Sequence, residues 1–335
     1  LPDAVKLARM RRQQRSLAMP HPHQVKRAAV IGAGTIGASW TAWFLSRGMT
    51  VAVSDPNPAA EDYVRRYVAK SWPILTRLGM TADASPNAWS FHAAPQAAVD
   101  GAEFVQENAP ERLAIKRDLF AAIEDAMLPE AILASSSSGI MMSDMQDGLR
   151  TPGRFVIGHP FNPPHLIPLV EVVGGRLTTP ETVAWCLDFY NHIGKRAIRI
   201  RKEAPGHLAN RLQAALWAEA ISAVTSGLAS VEDVDTAISA GPGLRWALMG
   251  PHQTFHLAGG DGGLAHMLHQ FRPAFHAWWA TMSKPELSEE TGRMLIDGVD
   301  DAVGGRGIAE LESERDTLLV EVMETIARHR APRGD

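Results

Sequence analysis

Lys26-Arg27-Ala28-Ala29-Val30-Ile31-Gly32-Ala33-Gly34-Thr35-Ile36-Gly37 decides how the rest of this chain is read. Small and β-branched apolar residues over 28–31 make a short buried strand, and Ala38-Ser39-Trp40-Thr41-Ala42-Trp43-Phe44-Leu45 reads as a helix. The Gly-x-Gly-x-x-Gly turn between them has a physical use. Its first glycine permits a tight turn, its second lets the backbone approach a diphosphate, and its third lets helix and strand pack closely. Gly32, Gly34, Thr35, Ile36 and Gly37 are therefore candidate dinucleotide ligands. Gly48 can end the helix and Val51-Ala52-Val53-Ser54 gives a second strand. Asp55 follows, about twenty residues after the turn, where an acid meets the adenosine ribose.

Pro56-Asn57-Pro58 comes next, with no arginine beside Asp55 to welcome a 2′-phosphate, so the expected cofactor is NAD rather than NADP. A chain of 335 residues is long for one core, and two domains are expected. Hydrophobic residues make up 45 % and charged residues 21 %, which fits a packed globular protein and not bulk disorder. A net charge of −4 gives no electrostatic case for nucleic acid. No apolar run reaches membrane-spanning length. Cys186 is the single cysteine, so neither an internal disulfide nor a cysteine metal cluster can form; a reducing, cytoplasmic setting and no metal are expected.

The first two dozen residues stand apart. Lys6, Arg9, Arg11, Arg12 and Arg15 make them basic, and His21-Pro22-His23 ends them. An arginine-rich leader can be a transit peptide; the expectation here is a disordered extension over residues 1–24.

Beyond Asp55, helical spacing runs over 59–78 and Gly79 ends it. Strands are expected over 88–93, 102–106, 131–134, 154–158, 168–173 and 197–200, with helices over 113–123 and from Thr179-Pro180-Glu181 to Ile193. Alternating strands and helices imply a Rossmann-type, doubly wound, largely parallel sheet over residues 25–203. After Ala204-Pro205-Gly206 the texture changes to helices and glycine turns, including a long helix over 206–226 and a final one over 308–326. An all-α domain over 204–330 is expected.

Active sites of open α/β sheets lie at the carboxyl ends of the strands. Ser138, His159 and Glu171 fall in such places. If the strands carrying His159 and Glu171 are neighbours, the carboxylate can fix the imidazole and stabilise its charged form. Imidazole titrates near neutrality, which suits removal of a hydroxyl proton as hydride leaves. Spacing alone also allows a structural histidine and an exposed strand glutamate.

The chain resembles the L-3-hydroxyacyl-CoA dehydrogenase superfamily over nearly all of residues 26–330. The resemblance is carried by 32–37, Glu107-Asn108-Ala109-Pro110-Glu111 with Lys116, Ala134-Ser135-Ser136-Ser137-Ser138, Gly158-His159-Pro160-Phe161-Asn162-Pro163, Leu169-Val170-Glu171-Val172-Val173 and Asn210-Arg211-Leu212. It implies that His159 is the general base and Glu171 its orienting partner. It implies too that Ser138 bonds substrate and cofactor, that Asn210 positions the substrate oxygen, and that Glu111, Lys116 and Asn162 meet the nicotinamide half of NAD. Ser136-Ser137-Ser138-Gly139 stands where the family usually has Asn-Thr-Ser-Ser, so the serine is retained and its neighbours differ.

Within the superfamily, Gly243-Leu244-Arg245-Trp246-Ala247-Leu248-Met249-Gly250 and Ala258-Gly259-Gly260-Asp261-Gly262-Gly263 are similar to the carnitine 3-dehydrogenase and gulonate 3-dehydrogenase/lambda-crystallin branches. A small L-3-hydroxy acid is then the expected substrate, with Arg245 and Trp246 as candidate substrate ligands. The alternatives are a CoA thioester substrate and a non-catalytic, crystallin-like NAD-binding protein. Trp246, Trp278 and Trp279 suggest that the helical domain forms a homodimer. Asn210 and Trp217, seven residues apart, share a helix face.

Overall fold

Strands buried on both faces build the first part of the protein. The computed structural model describes residues 19–282 and 284–330. Eight strands form one sheet: β1 (Arg27–Ile31), β2 (Thr50–Ser54), β3 (Trp89–His92), β4 (Phe104–Glu107), β5 (Ile132–Ser135), β6 (Phe155–Pro160), β7 (Leu169–Gly174) and β8 (Arg196–Ile200). Their spatial order is β3-β2-β1-β4-β5-β6-β7-β8. Strands β1 to β6 pair in parallel; β7 runs antiparallel to β6, and β8 parallel to β7. The chain winds outward from β1 to β3 and then restarts beside β1 with β4, so the strand order reverses between β1 and β4.

Alternate residues of the inner strands feed two cores. Ala28, Val30, Val51, Val53, Phe104, Ile132, Val156 and Val170 join one, and Ala29, Ile31, Ala52, Val105, Leu133, Phe155, Ile157 and Val173 join the other. The first core is completed by α1 (Thr35–Ser46), α2 (Ala59–Leu78) and, further along the chain, the helix over Pro180–His192. The second takes α3 (Pro95–Val99), α4 (Leu113–Glu124) and α5 (Met142–Met145). Numbered in chain order, Pro180–His192 is α6. Stacked rings of Trp40 and Phe44 on α1, and of Trp185 and Phe189 on α6, meet Phe104 at the centre of the sheet.

The expected disordered extension is corrected where it can be seen. Residues 1–18 lie outside the described residues, but residues 19–24 are held. Met19 packs on the first core, the Pro20 carbonyl accepts from Trp185 Nε1, and Pro22–Gln24 forms a short 3-10 turn. His23 stacks on His192 with ring centroids 4.1 Å apart and bonds Asp188 at 2.9 Å. The proline and histidine rings that looked like leader sequence have apolar faces, and α6 contacts them on one side while His21 and His23 stay exposed.

The chain forms two compact units, 1–208 and 209–335. The second is helical: α7 (Ala209–Thr225), α8 (Val231–Ser239), α9 (Pro242–Trp246), α10 (Pro251–Ala258), α11 (Gly263–Thr281), α12 (Glu289–Val303) and α13 (Ile308–Arg330). No strand follows Ile200 among the described residues. Ser230 and Asp233 form a reciprocal capping box at the start of α8. No described helix is long and apolar enough to cross a membrane.

Candidate active site

The turn after β1 lies at the strand-order reversal, where open α/β sheets bind their ligands. Gly32 has φ +88°, and a Cβ there would sit 2.6 Å from the Asn108 carbonyl oxygen. A Cβ on Gly37 would fall 1.8 Å from the Gly32 oxygen, so this glycine serves helix–strand packing. At Gly34 a Cβ meets nothing within 4 Å. Packing within the protein does not demand that glycine, whereas close approach of a diphosphate does. Thr35 and Ile36 open α1, whose first turn carries no acidic residue to oppose an anion. Asp55 follows β2; its Oδ2 accepts the Ala33 N–H at 2.9 Å and its Oδ1 the Asn57 N–H at 2.9 Å, which fixes the carboxylate against the glycine turn. These residues fit a dinucleotide.

Strand β7 reverses direction, so its early residues lie beside the carboxyl end of β6. His159 and Glu171 are direct partners in that ladder. His159 Nδ1 lies 2.9 Å from Glu171 Oε2, and both side chains are buried. Because a carboxylate accepts, Nδ1 carries the hydrogen and Nε2 keeps its lone pair. Glu171 Oε1 accepts the Leu208 N–H at 2.9 Å. The carboxylate is thus gripped on both oxygens.

The serine run leaves the end of β5 as a turn organised by two glutamates. Glu107, fully buried at the end of β4, takes the Lys116 ammonium at 2.8 and 3.0 Å, the Ser135 hydroxyl at 2.5 Å and the Ala109 N–H at 2.6 Å. Glu111 Oε1 accepts the Ser137 hydroxyl at 2.6 Å and the N–H groups of Ser138, Gly139 and Ile140 at 3.0, 2.8 and 3.1 Å. Burial alone would raise the Glu111 carboxyl. The bonds from Ser137, Gly139 and Ile140 and the nearby Lys116 ammonium outweigh it, holding the group below the usual carboxylate range. The Ser138 side chain, half-buried, makes no hydrogen bond among the described residues.

Of the residues expected from sequence, His159 meets Glu171, Glu111 meets the backbone of Ser138, and Asp55 meets the glycine turn. Lys116 is placed differently from the expectation of a cofactor contact. It is buried, its ammonium bonds Glu107 and the Ala109 carbonyl, and it stands 3.8 Å beneath Glu111. Asn162 is exposed on the turn after β6. Asn210 and Trp217 lie on α7, and the exposed Arg245 and Trp246 on α9, all in the second unit. Sequence reasoning gave no role to Glu107, Ser137 or His207. An acid closing an apolar stretch nine residues before a lysine was the available sign for Glu107. His207 sits just after a glycine and carried no sign.

The chain matches the family model "3-hydroxyacyl-CoA dehydrogenase, NAD binding domain" over residues 27–204, and the matching C-terminal domain over residues 206–297. It is 50 % identical to an L-carnitine dehydrogenase of Streptomyces coelicolor over 310 residues, covering 92 % of this chain and 98 % of that one. A relative of the same name from Streptomyces griseus subsp. griseus is 47 % identical, with 92 % of each chain covered. Among solved structures, 5-formyl-3-hydroxy-2-methylpyridine 4-carboxylic acid 5-dehydrogenase, an NAD+-dependent dismutase, superposes with a TM-score of 0.78. It is 30 % identical and covers 90 % of this chain and 99 % of its own.

Proposed function

Because this chain belongs to the 3-hydroxyacyl-CoA dehydrogenase family, we propose that it oxidises the 3-hydroxyl of L-carnitine to the ketone. It is an NAD-dependent oxidoreductase acting on a CH–OH group. The observation that carries the proton chemistry is the buried His159–Glu171 pair, which leaves Nε2 as the acceptor.

Bound NAD supplies the nicotinamide ring that takes the hydride from C3. As the C–H pair leaves, the hydroxyl proton passes to His159 Nε2 and the C–O bond becomes a carbonyl. Glu171 keeps Nδ1–H oriented and stabilises the imidazolium that results. Ser138 bonds the substrate oxygen. Gly32, Gly34, Thr35, Ile36 and Gly37 hold the diphosphate, and Glu111, Asn162 and Ser138 face the nicotinamide half, with Lys116 acting through Glu111. Asp55 holds the ribose and disfavours a 2′-phosphate; equal kcat/KM for NAD and NADP would remove it from that role. Asn210, Arg245 and Trp246 are assigned to the substrate. Arginine grips a carboxylate bidentately, and an indole face attracts a quaternary ammonium.

The test is NADH formation with L-carnitine, gulonate, 3-hydroxybutyrate and 3-hydroxybutyryl-CoA. L-Carnitine is expected to give the highest kcat/KM. A higher value for any other member overturns the substrate. Arg245→Met should raise KM for carnitine, and an unchanged KM removes the clamp.

The second unit is inferred to pair with a second copy of the chain. Trp279 and Ile296 are 60 % and 61 % exposed, and Ile221, Met267 and Val320 are its only fully covered large apolar side chains among the described residues. A monomeric mass by light scattering would end that reading. The single, buried cysteine is in keeping with a reducing, cytoplasmic setting, which cell fractionation checks.

A further inference from the structure

One backbone outlier lies beside the base. Among the described residues, His207 is the only non-glycine with positive φ, at +49°, and it follows Gly206 at +75°. Side chains rarely adopt this conformation, and it persists where the surroundings over-determine it. His207 is 3 % exposed and its ring centroid is 5.2 Å from that of His159. The protein therefore holds a second imidazole against the first, on a backbone that resists being there.

Its bonds show what that placement achieves. His207 Nε2 lies 2.9 Å from the Ser137 carbonyl oxygen. A carbonyl only accepts, so Nε2 carries the hydrogen. The other end of the same Ser137–Ser138 peptide is also held, because the Ser138 N–H donates to Glu111 Oε1 at 3.0 Å. With its oxygen and its N–H both fixed, the peptide plane cannot rotate, and that plane aims the Ser138 side chain. The very next residue, Leu208, turns its N–H onto Glu171 Oε1. Two consecutive residues thus reach the serine turn and the histidine–glutamate pair, and the left-handed turn at His207 lets them do both.

We propose that His207 is a positioning residue for this reaction: its ring clamps the Ser137–Ser138 peptide while its backbone seats Leu208 on Glu171, setting the serine hydroxyl and the base in register. The proposal rests on the roles given above to Ser138 and His159. Burial disfavours the charged form of His207 and depresses its pKa, as does neighbouring His159. A neutral His207 does not compete with His159 for positive charge when the base takes its proton. His207 Nδ1 is buried without a hydrogen-bond partner, so the single bond to Ser137 sets the ring's orientation.

A filler of space and a clamp are separated by three variants. His207→Gly relaxes the backbone and removes the ring. His207→Asn tolerates the left-handed φ, but its shorter amide falls short of Ser137, and it stands in if the glycine protein does not fold. His207→Gln places an N–H donor near the Nε2 position without an imidazole. A misaimed hydroxyl should lower kcat by about ten- to a hundredfold in the glycine and asparagine proteins. NADH affinity by fluorescence should change far less than kcat, because the glycine turn and Asp55 are untouched. His207→Gln should recover most of kcat. Wild-type kcat in the glycine or asparagine protein overturns the clamp, and so does a glutamine protein no better than they are. The comparison is a ratio among variants on whichever 3-hydroxy acid the wild type oxidises, so it stands apart from the choice of carnitine. His159→Ala in the same assay separates a failed base assignment, marked by full turnover in that protein, from a failed clamp.

Discussion

His159, the proposed base, and the serine turn sit at the same end of one sheet, yet they are held by different means. His159 and Glu171 face each other across an antiparallel ladder, so the backbone register itself places imidazole against carboxylate. The serine turn has no ladder. Its shape depends on Glu111 collecting three consecutive N–H groups on one oxygen, with the buried Glu107–Lys116 pair underneath. One side is fixed by secondary structure, the other by charge. Substitutions should therefore fail differently on the two sides: chemistry without collapse at the base, and shape before chemistry at the turn.

The largest expected effect tests the base side. His159→Ala should lower kcat by about 10²–10⁴-fold, the usual cost of losing a positioned general base. Cofactor binding should change little, and the melting temperature should fall by less than in Lys116→Met, because the ladder does not depend on the imidazole and Glu171 keeps the Leu208 N–H. Near-wild-type turnover would take the base assignment away from His159. A collapse in stability would show that this side, too, is held by its side chains.

On the serine side the larger effect should fall on stability. Lys116→Met leaves Glu107 buried without its cation, and breaking such a pair costs about 3–5 kcal/mol. Adding Glu107→Leu should return part of the loss, since a buried pair replaced by apolar groups is often neutral. Recovery should be incomplete, because the Ser135 hydroxyl and the Ala109 N–H lose their acceptor as well. Denaturant melts of the single and double variants measure both numbers. A single variant as stable as the wild type would mean that the turn does not lean on this pair.

The same contrast explains what could be read from sequence. Strands β1 and β2, the glycine turn and Asp55 were legible because apolar runs and glycines encode local geometry. The His159–Glu171 pair was half legible: each residue lay in a recognisable strand, but their contact needed β7 to run against β6, and pairing direction is not written in either strand. Lys116 is a cofactor contact only by what the resemblance implies; its burial against Glu107 is not written in the sequence around it. Glu107 falls just past the expected strand over 102–106 and belongs to a quoted motif, but its burial against Lys116 is set by tertiary contacts. His207 was invisible, since its importance comes from a positive φ and a carbonyl seventy residues earlier in the chain. Residues 19–24 were misread because composition reported basic leader and proline, while their order comes from contacts with α6.

The smallest expected effect concerns Glu111, the carboxylate that holds the turn. Its pKa in the folded protein lies below the ordinary value of 4.5. The unfolded chain therefore binds the proton more readily, and the stability linked to this group is fully present above about pH 4.5. It is lost as pH falls through the folded-state pKa. Glu124, whose pKa is also depressed, contributes in the same direction, so the acid slope of the wild type is not Glu111's alone. The difference between wild type and Glu111→Gln isolates it. Glutamine keeps an acceptor oxygen for the three N–H groups but loses the charge. At pH 7 the variant should be less stable by about 1 kcal/mol, a modest figure because the Glu111 side chain is partly exposed and its charge is screened. As pH falls through the folded-state pKa the two proteins should converge. A stability gap that stays constant from pH 7 down to the acid limit of the fold would show that shape, not charge, holds the turn, and the contrast between the two sides would lose its basis.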